Sequence, residues 1–130
     1  MSSSTILSAF NDHFIEFVSD IQQAFPDDVD VLSAKNSFIA IRKMNPKLLI
    51  KGWDSFVVGK YKNFIEKGDI RFFMEKDYSD DLENNANSKK IMDAINRLRA
   101  PVKMMSEEEQ KKVVVYIQNL TKLSEMHKLM

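Results

Sequence analysis

Apolar side chains recur along this chain at spacings that fit helices and not strands. Between residues 5 and 25, Phe10, Phe14, Phe17, Val18, Ile21 and Phe25 follow one another at 4, 3, 1, 3 and 4 positions, which is one face of an α-helix. Ser4 or Thr5 is the expected N-cap. Pro26 ends the helix, because its ring excludes helical backbone at Phe25 and it has no N–H to donate. Asp27 and Asp28 open a second helix, whose stripe is Val31, Ala34, Phe38 and Ile41. Asn45-Pro46 is the sharpest boundary, with Asn as N-cap and Pro at the first helical position. The third helix carries Leu49, Ile50, Trp53, Val57, Tyr61, Phe64 and Ile65, with a break expected near Gly59 and a C-terminal cap at Gly68.

Asp69 is placed to cap a short helix holding Ile70, Phe72, Phe73 and Met74. Three bulky apolar residues in a row cannot all hide on one helical face, so this segment is either buried all round or meets a partner. From Asp77 to Ser88 the chain is polar and acidic, which reads as an exposed loop. Ser88 caps a fifth helix with Ile91, Ala94, Ile95 and Leu98, expected to falter before Pro101. Ser106 and Glu109 form a capping box ahead of a last helix that buries Val113, Val114, Ile117 and Leu120. The pattern predicts an all-α protein: a single compact domain over residues 1–130, with five or six helices in an orthogonal or irregular bundle.

Composition narrows the setting. The 130 residues suffice for one domain with a sizeable core, and only three Gly and three Pro agree with long helices. The absence of Cys excludes disulfides, thiolate zinc sites and a cysteine nucleophile, and suits a reducing intracellular compartment. No apolar run approaches the ~18 residues of a membrane span, and the N-terminus lacks the basic region of a secretory signal, so no membrane association is expected. Eight Met are read first as core filler and second as adaptable binding surface.

Charge changes the picture more. Nineteen bases cancel nineteen acids, yet they sit in blocks. Residues 1–34 hold six acids and no base; residues 35–67 hold eight bases against Asp54 and Glu66; residues 68–83 hold six acids against two bases; residues 84–130 hold nine bases against five acids. Segregated charge selects and orients partners rather than folds. The candidate contacts fall in two groups: Arg42, Lys43, Lys47, Lys51, Lys60 and Lys62, and then Lys89, Lys90, Arg97, Arg99 and Lys103. Trp53 and Tyr61 interleave the first group. Basic residues with aromatics can hold a nucleic-acid backbone, but both rings also fall on the apolar stripe, which favours core, and zero net charge weighs against nucleic acid. The bland alternative is that basic helices dock on the acidic first helix.

Catalytic signals are sparse. His13 and Glu16 stand at i,i+3 with Asp12 and Asp20 nearby, but a di-metal bundle repeats Glu and Glu-x-x-His across several helices, and here the order is reversed and single. The stripe reads as solvated. His127, three residues from the end, is expected to fray. No Gly-x-Ser-x-Gly elbow and no Gly-rich phosphate loop is present. No catalytic residue, metal or cofactor is assigned.

The stretches Phe25-Pro26-Asp27-Asp28, Ala34-Lys35-Asn36, Asn45-Pro46-Lys47 and Tyr116 to Leu123 together resemble a family of small proteins of large nucleocytoplasmic DNA viruses of algae and protists. The resemblance covers most of the chain and carries no catalytic or ligand motif. It implies a viral protein working in the cytoplasm or nucleus of a eukaryotic host, or packaged in a virion. The expected function is a non-enzymatic helical interaction protein, a minor virion or virus-factory component binding viral or host proteins, with stacking of its own copies left open. The alternative is a nucleic-acid accessory protein using the two basic groups.

Overall fold

A computed structural model describes residues 2–70 and 86–130. The chain is all-α, with six α-helices among the described residues: α1 Ser3–Ala24, α2 Val29–Met44, α3 Leu48–Trp53, α4 Gly59–Glu66, α5 Ala86–Lys103 and α6 Glu107–Leu129. Of the expected short helix, Ile70 is buried outside any helix and Phe72, Phe73 and Met74 lie outside the described residues; of the acidic loop expected at 77–88, residues 77–85 lie outside them and 86–88 are helical instead.

Local chemistry accounts for most ends. Ser2, not Ser4 or Thr5, caps α1, accepting from the Thr5 N–H at 3.2 Å. Four hydroxyl residues in a row could serve, and the earliest one wins because each added residue contributes another backbone bond, such as Ile6 N–H to the Ser2 carbonyl at 3.1 Å. Asp28 caps α2, its carboxylate accepting from the N–H groups of Asp30 and Val31. At the Asn45-Pro46 boundary the helix starts later than its Pro suggests: Asn45 Oδ1 accepts from the Lys47 N–H at 3.0 Å, a side-chain turn that precedes α3. The expected break near Gly59 is a π-helical segment over Asp54–Val58, in which the Gly59 N–H reaches the Asp54 carbonyl. α4 closes at Gly68 with φ 74°, where Gly68 N–H bonds the Ile65 carbonyl and Asp69 N–H the Phe64 carbonyl, the paired bonds of a Schellman cap.

Two expectations about α5 fail. It begins at Ala86, not after a Ser88 cap, and it runs through Pro101 to Lys103. Pro101 falls in the last turn, so the missing N–H interrupts one bond only, and Met104 N–H still finds the Ala100 and Pro101 carbonyls. The capping box ahead of α6 forms as expected, with Ser106 Oγ accepting from Glu109 N–H at 3.2 Å. His127 lies within α6 and does not fray.

α1 sits in the middle, packed on α2 along one flank and α6 along the other, while α5 covers the far side of α2 and α3 reaches all four. Phe10, Phe14, Phe17, Phe38 and Trp53 form an aromatic centre, with Phe14 edge-on to Phe38 at 4.7 Å and to Trp53 at 5.9 Å. Trp53 and Tyr61 are both buried, so neither ring is presented for base stacking. The Trp53 indole N–H donates to Thr121 Oγ1 at 3.2 Å, which answers the one polar atom of that ring inside the core. Two expectations of burial are corrected. Phe64 is exposed, and the methionines whose burial is described are not core filler: Met44, Met104, Met126 and Met130 are exposed and Met105 is half-buried. Unbranched and flexible, they are edge residues here, while branched and aromatic side chains fill the centre.

Candidate functional site

The described basic residues of the two groups divide between ion pairs across helices and exposed positions. Lys90 and Lys103 stand on α5 thirteen positions apart, about 20 Å along a helix axis. Arg97 Nη1 is 2.9 Å from Asp30 Oδ1, which ties α5 to the start of α2. Arg99 is half-buried, and its Nε has no hydrogen-bond partner among the described residues. Lys90 lines a groove between α2 and α5 beside Met44. In the first group, Arg42 Nη2 is 2.7 Å from Asp12 Oδ1 on α1, and Lys62 Nζ is 3.5 Å from Glu125 on α6. Lys43, Lys47 and Lys51 are exposed and have no ion-pair partner among the described residues. The side chains of Lys60 and Lys89 lie outside the described ones. The arginines Arg42 and Arg97 thus link helices, whereas most of the lysines stay in water, as expected for a planar fork against a hydrated point charge.

α1 and α2 run antiparallel, as the contacts of Asp12 with Arg42 and of Gln22 with Lys35 require. Where they diverge toward the Pro46 corner they leave an open groove of about 530 Å³. Leu7, Ile15, Ile39 and Pro46 give it apolar walls, Ser4 and Ser8 edge it on α1, and Arg42 and Lys43 edge it on α2. Asn11, 1 % exposed, also lines it. Its amide NH₂ donates to the Pro46 carbonyl at 2.9 Å, which fixes the corner to α1, while Oδ1 is buried with no donor among the described residues. An acceptor left so costs about 1–3 kcal/mol. Sequence reasoning passed over Asn11; its signal is an amide on an otherwise apolar helical face, one position from Phe10.

The His13–Glu16–Asp20 stripe is not simply solvated, as its pattern suggests. It faces α6, where the Tyr116 hydroxyl donates to Asp20 Oδ2 and lies 3.3 Å from Glu16 Oε1. The Tyr116 ring packs on Phe17 at 5.4 Å and on His13 at 4.8 Å between centroids. Desolvation, then the hydrogen bond and negative charge of Asp20, then Glu16, push the phenol well above its ordinary range. It therefore keeps its proton and can donate. His13 Nδ1 is 3.8 Å from Glu16 and Nε2 is buried without a partner among the described residues. Among the described residues no group of three His, Asp or Glu could hold a metal ion. The cluster is a clasp between α1 and α6, bordering a depression of about 480 Å³ edged by Lys111 and Lys112. Among the described residues no helix is long and apolar enough to cross a membrane. No protein-family model matches the chain, and neither do curated proteins or solved structures.

Proposed function

We propose that this chain is a non-enzymatic helical interaction protein that docks other proteins on the α1–α2 groove. The supporting observation is that groove: an apolar trough left open beside a full core, lined by a buried amide with an unanswered acceptor. Apolar walls supply affinity by burial. The ion pair of Arg42 with Asp12 keeps one edge in place. The resemblance to proteins of large DNA viruses points to viral or host partners in an infected cell or a virion.

A photo-crosslinking side chain placed at exposed Ser8 tests the reading in infected cells, with the same group at exposed Gln23 as control. A discrete protein adduct at position 8 and none at position 23 is expected; equal or absent labelling at the two positions rejects it. The nucleic-acid alternative keeps exposed Lys43, Lys47 and Lys51 but not the rings of Trp53 and Tyr61. Titration with short DNA and RNA at two salt concentrations reads it directly, since phosphate contacts make binding strongly salt-dependent.

A further inference from the structure

We propose that the occupant of the α1–α2 groove is an amphipathic helix of another protein, acidic at the end that lies against the Pro46 corner; this rests on the protein-docking reading above. Length comes first. The groove follows α1 from Ser4 to Ile15, eleven positions or about 16 Å, which is three helical turns. An apolar trough of that length accepts anchors at i, i+4 and i+7 of a second helix, laid where α1 and α2 part. An extended strand would leave its backbone N–H and C=O groups without a sheet edge, because only helices flank the trough.

Charge sets the polarity. At the Pro46 end, Lys43 and Lys47 are exposed and unpaired among the described residues, while Arg42 is matched by Asp12. The α1 N-terminus lies toward the same end, since Asn11 bonds Pro46 and Ser4 and Ser8 line the groove with it. The first turn of α1 contains no acid, so its positive dipole end is uncompensated by its own side chains. The opposite end, at Ile15 and Ile39, carries no such excess. Acidic residues of the occupant gain most at the corner, and a basic occupant is repelled there.

The test is a display library of random peptides, about 16 residues long to cover three turns with flanks, panned on the whole protein. Binders are removed with Ser8→Trp, a variant that fills the trough from an exposed position and keeps the core. Circular dichroism and thermal melting confirm that the variant is folded. The expected selectants carry apolar residues spaced 4 and 3 apart with Asp or Glu clustered at one end. Their affinity falls about tenfold or more on Ser8→Trp, and roughly threefold to tenfold on Lys43→Glu with Lys47→Glu, with loss at high salt. Selectants that are basic, lack the helical spacing, or bind Ser8→Trp equally overturn the proposal, as does enrichment of nothing. A concentration-dependent dimer abolished by Ser8→Trp also overturns it, in favour of a second copy. If the Ser8 photo-adduct forms while selectants bind elsewhere, the occupant's chemistry is wrong and the docking reading stands. If neither appears, both fall.

Discussion

The two flanks of α1 are held by different means. Against α6, Tyr116 brings a wide ring and a hydroxyl, and the ring lies between His13 and Phe17 while the hydroxyl meets two carboxylates. Against α2, the ties are long and thin: Arg42 to Asp12, Lys35 to Gln22 at 2.9 Å, and Asn11 to the Pro46 carbonyl. A planar side chain fills the gap it bridges, whereas an extended one spans it. The lesson is that α2 and α6 both close the core, through Phe38 and Ile117 among others, and differ in the polar side chains that tie them to α1 and in the depressions beside them, about 530 Å³ along α2 and about 480 Å³ along α6.

The comparison can be broken at its root. Phe14 touches both flanks through Phe17, Phe38 and Trp53, so Phe14→Ala should cost about 3–5 kcal/mol in urea unfolding. A cost below about 1 kcal/mol would mean that the aromatic centre is not packed as described. On the α6 flank, Tyr116→Phe keeps the ring and loses the bonds to Asp20 and Glu16, with an expected cost of about 1–2 kcal/mol. The same hydroxyl gives a pH signature. Its folded value is raised above the unfolded value of about 10, so its contribution is complete below about pH 10 and is lost as pH climbs toward the folded value. The stability gap between wild type and Tyr116→Phe should therefore narrow as pH rises above about 10, measured by urea midpoints. On the α2 flank, Arg42→Ala should cost about 0–1 kcal/mol and less at high salt, because the Asp12 partner is 68 % exposed. Finding Arg42→Ala costlier than Tyr116→Phe would reverse the roles given to the two flanks.

Much of the frame is legible from spacing alone. The stripes of α1 and α2 identify the buried faces, and Pro26, Gly68 and the Ser106–Glu109 box mark ends because each acts on backbone next to it. What spacing does not reveal depends on distant partners. Tyr116 and Asp20 are 96 positions apart, and Asn11 and Pro46 are 35 apart, so neither contact leaves a local pattern. The acidic stripe of α1 is exposed, as its pattern suggests, and what spacing does not reveal is that its edge also meets the Tyr116 hydroxyl of α6. Pro101 misleads in the other direction: a residue that ends helices in general is harmless where only one turn remains.

The widened turn at Asp54–Val58 has a consequence for the aromatic residues on either side of it. Eight positions separate Trp53 from Tyr61, and at about 100° per residue an unbroken α-helix would rotate the second ring about 80° away from the first. Looser winding through five residues removes most of that offset, which lets both rings enter the same interior. The bulge therefore works as a vernier between two stretches of helix. Removing one residue from it would leave seven positions, which regular α-helical winding carries to within about 20° of two full turns, so Tyr61 should keep its place in the core while the bulge disappears.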